Sequence, residues 1–210
     1  MAAEQFYQDL RQEKIIAIVR GVSASTILSI AESLYAGGIR LMEITCNTPG
    51  VTDMLREVTG AMGDRMVFGA GTVISRQLAE AVHAAGARYI VAPDVNPEVI
   101  GYCVDHGLPV IPGAATATEI LTAQRLGAPT VKIFPAEPLG CGYIKQLRGP
   151  IKDMDFVAVG GVTAENVADF LKAGCVGAGL GGALVNPKLV EQGDWEGLTA
   201  LAARVKAQVG

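Results

Sequence analysis

Residues 131–137 read VKIFPAE, and the β-forming run at 130–134 carries one lysine in its middle before Pro135 ends it. Burial among apolar neighbours would strip water from Lys132, which disfavours the ammonium form and lowers the pKa of the amine. A neutral lysine amine is a nucleophile that can form a Schiff base with a carbonyl substrate. Two alternatives are a lysine that extends its amine into solvent and a lysine that pairs with a carboxylate such as Glu43.

Seven further apolar runs of strand length accompany this one, at residues 15–20, 41–45, 66–70, 89–92, 109–111, 156–159 and 176–180. Helical patterns lie between and around them, at residues 3–13, 25–36, 51–62, 75–85, 97–105, 116–125, 142–148, 163–172 and 196–208. Continuous apolar strands are typical of a parallel sheet that is buried on both faces. The pattern therefore predicts an α/β fold, a single (β/α)8 TIM barrel with an extra N-terminal helix over residues 1–210.

A doubly wound open sheet is the main alternative to the barrel. Such a sheet binds phosphate at a GxGxxG turn that opens its first helix. The chain reads GVSAST after Arg20, so this turn is missing. The barrel is the better prediction.

Composition excludes several classes of function. The chain has a net charge of -4 and no cluster of lysine and arginine, which argues against a nucleic-acid partner. Its apolar runs end well before the ~20 residues of a membrane span, and its first residues lack a targeting pattern. Small anionic molecules stay possible because a local site can oppose the overall charge.

Cysteine and histidine usage predicts a cytoplasmic protein without a metal site. The four cysteines are scattered and form no CxxC pair, which is typical of reduced thiols. The two histidines, His83 and His106, fall in helical segments, and their spacing fits no metal site.

The carboxyl ends of the predicted strands hold the candidate functional residues, as expected of a barrel. Arg20 ends the first strand, and Glu43 interrupts the apolar run of the second. Thr72 follows the small residues after the third strand, and Pro93 follows the fourth. Glu43 is the strongest acid/base candidate because no histidine occurs at a strand end. The alternative is a structural ion pair of Glu43 with Lys132 or Arg20.

Glycine-rich turns follow the last two strands. They contain Gly160 and Gly161 in the first turn, and Gly181 and Gly182 in the second. Backbone N–H groups in such turns, with a helix N-terminus nearby, form the usual phosphate pocket of TIM barrels. The alternative is that these glycines serve only tight turns and close packing.

The order and spacing of the motifs resemble class I aldolases that act on 2-keto-3-deoxy-6-phosphogluconate, 2-keto-3-deoxy-6-phosphogalactonate or 4-hydroxy-2-oxoglutarate. The motifs are IIAIVRG, MEIT, FGAGTV, IVAPD, IPGAATATE, VKIFPAE, FVAVGGVTAENV and the final glycine run. The resemblance implies a TIM barrel, a homotrimer, and no metal or organic cofactor. It also implies that pyruvate forms a Schiff base with Lys132 and that Glu43 is the general acid/base.

The same resemblance assigns substrate-binding roles. Arg20 and Thr72 would hold the substrate, Pro93 and Phe134 would line the pocket, and Gly160 and Gly161 would meet the phosphate. Two positions depart from the family pattern. Asn47 stands where phosphogluconate-specific members often carry arginine, which favours the phosphogalactonate branch. Gly182 replaces a serine that commonly binds phosphate.

The expected activity is therefore reversible cleavage of a 2-keto-3-deoxy-6-phospho sugar acid into pyruvate and glyceraldehyde 3-phosphate. Three alternatives stay open. The substrate could be 4-hydroxy-2-oxoglutarate, which yields glyoxylate and needs no phosphate pocket. The barrel could be a non-catalytic sugar-phosphate binding module. A metal-dependent aldolase is the third, disfavoured by the shortage of histidines.

Overall fold

The computed structural model describes residues 3–210 as a closed barrel of parallel strands with helices on its outside. The strands are β1 (Ile15–Val19), β2 (Leu41–Thr45), β3 (Val67–Gly71), β4 (Ile90–Val91), β5 (Val110–Ile111), β6 (Gly113–Ala114), β7 (Thr130–Ile133), β8 (Asp155–Val159) and β9 (Gly177–Leu180). The prediction of an α/β TIM barrel is confirmed.

The helices alternate with the strands along the chain. They are α1 (Ala3–Glu13), α2 (Ile27–Ala36), α3 (Val51–Met62), α4 (Arg76–Ala84), α5 (Pro97–Asp105), α6 (Ala117–Arg125), α7 (Ala136–Arg148), α8 (Val167–Lys172), α9 (Pro187–Gln192) and α10 (Trp195–Ala207). None of the helices in residues 3–210 is long and apolar enough to span a membrane.

Closure of the barrel joins β1 to both β2 and β9, so the first and last strands are neighbours. The strand predicted at residues 109–111 is β5, and a further segment, β6, follows it after Pro112, which has no N–H to donate to a ladder. β5 pairs with β4, whereas β6 pairs with β7. The two segments therefore share one strand position of the barrel. The nine segments fill the eight strand positions that the sequence pattern predicts.

Three helices begin at least two residues away from their predicted starts, and a fourth lies outside the predictions. The first turn before α2 is a short 3-10 helix at Ala24–Thr26. α7 begins at Ala136, since a proline is tolerated in the first helical turn. It is kinked at Gly140. α8 begins at Val167, later than the predicted residue 163. The short helix α9 was not predicted, because six residues carry too little periodic signal.

Helix α1 covers the amino-terminal end of the barrel. Its residue Phe6 is fully buried and stacks on Tyr89, with ring centroids 4.5 Å apart. The hydroxyl of Tyr7 donates to the carbonyl of Val110 and accepts from its N–H at 3.0 Å. This end is closed by apolar packing, which leaves the carboxyl end of the barrel for a site.

Candidate active site

A cleft of about 600 Å³ opens at the carboxyl ends of the strands. All eleven residues predicted for the site line it: Arg20, Glu43, Asn47, Thr72, Pro93, Lys132, Phe134, Gly160, Gly161, Gly181 and Gly182. They come from seven barrel positions and their following loops. Barrel closure thus brings into one cleft residues that lie up to 162 positions apart in the sequence.

Lys132 stands in the middle of β7, where it pairs with Gly113 of β6 and Val157 of β8. Its side chain is only 7% exposed, and its Nζ lies 4.5 Å from the centroid of the Phe134 ring. Burial lowers the pKa of Lys132, Glu43 opposes this change, and Arg20 adds to it. The amine is therefore neutral over a wider pH range than an exposed lysine.

Glu43 stands in the middle of β2, between Ile18 of β1 and Gly69 of β3. It is 3% exposed, and burial raises its pKa from 4.5 to about 7, against the opposing charges of Lys132 and Arg20. A carboxyl group with a pKa near neutrality can both donate and accept a proton at physiological pH.

Glycine at position 71 makes room for this carboxyl group. A Cβ at Gly71 would collide with Oε1 of Glu43 and would lie 2.8 Å from its Cδ. Any larger residue at this position of β3 would displace the Glu43 carboxyl group. The glycine therefore helps to place the acid.

Within residues 3–210, neither Glu43 nor Lys132 forms an ion pair shorter than 4.0 Å. The alternative of a structural salt bridge between them, or between Glu43 and Arg20, is therefore not supported. The two groups share a cleft while each keeps a pKa displaced towards its neutral form. Such pairs of displaced groups are typical of acid/base and nucleophilic sites.

The loops that carry Arg20 and Asn47 are tied together by hydroxyl groups. The N–H of Gly21 donates to Oγ1 of Thr48 at 2.9 Å, and Oγ1 of Thr48 lies 3.2 Å from Oγ1 of Thr45. Both threonines are buried. These hydrogen bonds fix the distance between the first and second loops, which places Arg20 and Asn47 on one wall of the cleft.

Thr72 adopts a left-handed backbone conformation, with φ of 56° directly after β3. A β-branched residue rarely adopts this conformation, and strained residues concentrate at functional sites. Thr72 lines the cleft together with Pro93, which follows β4.

The glycine turns follow β8 and β9 and form the wall of the cleft on the other side of β1, because β9 pairs with β1. Gly160 and Gly161 have φ of 94° and 75°, which a glycine adopts without strain. Asn166 holds this turn: its Nδ2 donates to the carbonyl of Gly161 at 3.0 Å and its Oδ1 accepts from the N–H of Thr163 at 2.8 Å.

The N–H groups of Gly160, Gly161, Gly181 and Gly182 have no hydrogen-bond acceptor within the described part of the chain. They are available to an anion. The expected helix N-terminus is more distant than predicted, because α8 starts only at Val167.

Eight further residues line the cleft that the sequence did not single out: Ile18, Val159, Val162, Thr163, Gly179, Ala183, Val185 and Pro187. Ile18 and Val159 could have been found, because alternate residues of a barrel strand point inwards. Ala183, Val185 and Pro187, which lie after the β9 glycines, gave no signal. In residues 3–210 no group of three or more His, Cys, Asp or Glu side chains is arranged to hold a metal ion.

Comparison with known proteins identifies a family. A family model described as "KDPG and KHG aldolase" matches residues 7–201. The 2-dehydro-3-deoxy-6-phosphogalactonate aldolase of Escherichia coli is 40% identical over 168 residues, which cover 80% of this chain and 82% of that protein. The 2-dehydro-3-deoxy-phosphogluconate aldolase of Treponema pallidum is 34% identical over 205 residues, 97% of either chain.

A solved structure connects the fold to a covalent intermediate. It is the KDPG aldolase of Legionella pneumophila with pyruvate captured as a covalent carbinolamine. Its TM-score with this chain is 0.87 at 28% identity, and the match covers 92% of this chain and 94% of the other.

Proposed function

Because the chain belongs to the KDPG and KHG aldolase family, and is therefore a Schiff-base aldolase and a carbon-carbon lyase, we propose that it reversibly cleaves a 2-keto-3-deoxy-6-phospho sugar acid. The products are pyruvate and glyceraldehyde 3-phosphate. One observation carries the proposal: Lys132 and Glu43 face the same cleft, both more than nine-tenths buried, without an ion pair between them.

Lys132 is the nucleophile of the proposed mechanism. Its neutral amine attacks the C2 ketone to form a carbinolamine, and Glu43 in its acid form protonates the hydroxyl that leaves as water. The resulting iminium withdraws electrons from C3. Burial favours each step, since it raises the fraction of neutral amine and of protonated Glu43.

Glu43 moves the remaining protons. As a carboxylate it takes the proton of the C4 hydroxyl while the C3–C4 bond breaks and its electrons pass into the iminium, giving an enamine and the free aldehyde. It then protonates the enamine at C3. Hydrolysis of the iminium releases pyruvate and returns Lys132 to the free amine.

Substrate contacts follow from positions along the cleft. Arg20 and Asn47 would bind the carboxylate and hydroxyl groups, and Thr72 would donate its hydroxyl. Pro93 and Phe134 would pack against the apolar methylene of the pyruvate part. The aromatic ring beside the Lys132 amine also excludes water from it.

The phosphate would bind at the glycine turns. Gly160, Gly161, Gly181 and Gly182 line one wall of the cleft, and their N–H groups lack an acceptor within residues 3–210. Oriented N–H groups of this kind bind anions without a charged side chain.

Asn47 favours the phosphogalactonate type of substrate over the phosphogluconate type. The 40% identity with the E. coli phosphogalactonate enzyme agrees with that preference. A second candidate is 4-hydroxy-2-oxoglutarate, which Gly182 favours because it offers no hydroxyl to a phosphate. Turnover of phosphorylated and unphosphorylated substrates separates the two candidates, and a preference for the unphosphorylated one would reject the phosphate pocket.

The mechanism is tested by trapping. Borohydride in the presence of pyruvate should add one pyruvate-derived mass to the peptide that contains Lys132, and Lys132→Ala should abolish it. Lys172→Ala is the matched control, since Lys172 is 76% exposed. An adduct on another lysine would defeat the mechanism. A non-catalytic binding barrel would give no pyruvate proton exchange in deuterated water.

We further propose that residues 1–210 act as a single domain in a cytoplasmic homotrimer without a cofactor. Family resemblance supports the trimer, and Ile74 and Val104 are exposed apolar side chains, 55% and 48% accessible, that an interface could cover. Four free cysteines support the cytoplasmic location. Sedimentation equilibrium tests the assembly, and activity that survives strong chelation tests the absence of a metal.

A further inference from the structure

Tyr89 is a buried phenol that the proposed reaction does not use. It is 0% exposed, and its hydroxyl has no hydrogen-bond partner within residues 3–210. Phe6 stacks on the Tyr89 ring, with ring centroids 4.5 Å apart and an interplanar angle of 25°, and fixes its position. Buried tyrosine hydroxyls normally have a partner, because an unsatisfied polar group costs free energy. The hydroxyl therefore requires an explanation.

The ring of Tyr89 reaches across β3 towards β2. A Cβ at Gly69 would lie 2.5–2.6 Å from Cζ, Cε1 and Cε2 of Tyr89, so the hydroxyl end of the ring covers Gly69. Gly69 is the β-ladder partner of Glu43. The phenol thus occupies the position next to the catalytic acid, in space that only a glycine leaves open.

Two glycines of β3 bring these groups together. Gly69 accommodates the Tyr89 ring, and Gly71, two residues further along the same inward face, accommodates the Glu43 carboxyl group. The ring is fixed by Phe6, whereas the Glu43 side chain has three rotatable bonds. The mobile carboxylate and the fixed phenol therefore lie over neighbouring inward positions of β3.

We propose that Tyr89 is a positioning residue for Glu43, whose carboxylate accepts a hydrogen bond from the Tyr89 hydroxyl when Glu43 is ionised. This inference rests on the proposed function and adds Tyr89 to the residues that support it. The bond stabilises the base form of Glu43 between its proton transfers. Tyr89 does not line the cleft, so it acts through Glu43 and not on the substrate.

The surrounding charges agree with a donor role. Glu43 is faced by Lys132 from β7 and by Arg20 after β1, and the thiol of Cys46 lies after β2. Burial raises the pKa of Tyr89 well above its ordinary value, and the Glu43 charge raises it further. The phenol is therefore protonated throughout the physiological range and keeps a proton to donate to the Glu43 carboxylate.

Tyr89→Phe tests the proposal, because it removes one oxygen and keeps the ring stacked on Phe6. Loss of a hydrogen bond to the charged form should raise the pKa of Glu43 by ~1 unit. A ¹³C NMR titration of labelled glutamate carboxyl groups measures this directly. Pyruvate proton exchange should fall ~5-fold near the wild-type midpoint and recover at high pH, since only the base population changes.

Tyr7→Phe is the matched control. It removes a buried hydroxyl at the same end of the barrel. That hydroxyl forms hydrogen bonds with the backbone of Val110 and not with Glu43. We expect it to lower the melting temperature and to leave the Glu43 titration unchanged.

An unshifted Glu43 titration in Tyr89→Phe, or a rate loss that is equal at every pH, would overturn the proposal. A higher melting temperature of Tyr89→Phe together with an unshifted Glu43 titration would show that the Tyr89 hydroxyl is unsatisfied and has no role in the reaction. Failure of the wild-type protein to trap pyruvate would instead refute the proposed function, so the two failures are distinguishable.

Discussion

Glu43 on β2 and Lys132 on β7 project into one barrel without forming an ion pair shorter than 4.0 Å. Direct contact would favour the charged form of both groups. Their separation leaves desolvation as the larger effect on each, which raises the pKa of the acid and lowers that of the amine. The arrangement costs stability and supplies a neutral nucleophile with an acid/base group.

Glu43→Gln should retain the fold and lose activity. The amide has almost the same shape but cannot transfer a proton, so we expect the cleavage rate to fall by ~10²–10⁴-fold. Steady-state cleavage and circular dichroism check the two parts of this prediction. The control is Glu137→Gln, an exposed residue that does not line the cleft. Comparable losses in both variants would contradict the assignment of Glu43.

The stability of the protein should depend on the ionisation of Glu43. Its pKa is about 7 in the folded chain against 4.5 for an ordinary glutamate, so the folded state binds the proton more tightly than the unfolded state. The free energy of unfolding therefore falls as pH rises between these values, by about 3 kcal/mol for this group alone. Below this range, both states are protonated and the group has no effect.

The measurement compares denaturant unfolding of Glu43→Gln with the wild type at about pH 4 and about pH 8, on either side of that range. Glutamine should gain stability relative to the wild type at the higher pH. Lys132 is present in both proteins, so the opposite pH dependence expected from its lowered pKa largely cancels. A difference that does not change with pH would show that Glu43 is not desolvated.

Gly71→Ala should inactivate the protein without unfolding it. The new methyl group would collide with Oε1 of Glu43, and the flexible side chain would turn away. Gly60→Ala is the control, since Gly60 lies in α3 with open space around it and should gain roughly 1 kcal/mol from helix propensity. Cleavage assays and thermal unfolding of both variants decide the prediction. Full activity of Gly71→Ala would contradict the placement of the carboxyl group.

Gly182→Ser should strengthen binding of a phosphorylated substrate. The position is open, with only Cδ of Pro187 at 3.8 Å from a Cβ, so a hydroxyl can reach an anion in the cleft. A hydrogen bond to a charged oxygen contributes about 1.5–3 kcal/mol, which corresponds to a KM lower by ~10-fold or more. Gly182→Ala separates the hydroxyl from the added bulk. Equal KM values for serine and alanine would place the phosphate elsewhere.

Much of the site could be predicted from the sequence because its signals are local. A charged residue inside an apolar run identified Lys132 and Glu43, and turn glycines identified the wall after β8 and β9. Tyr89 gave no such signal, since a tyrosine in a β-forming run is ordinary. Its role depends on Gly69 of the neighbouring strand and on Phe6 of the first helix.

The sequence by itself determined the order of strands and helices, the parallel sheet and the chemical groups at the strand ends. These follow from periodicity and composition within short segments. Only the tertiary structure decided that two segments on either side of Pro112 share one strand position of the barrel. It also decided that Glu43 and Lys132 form no ion pair, and how strongly each is desolvated. Such distances and burial arise from barrel closure and strand register, which are set by contacts between residues far apart in the chain.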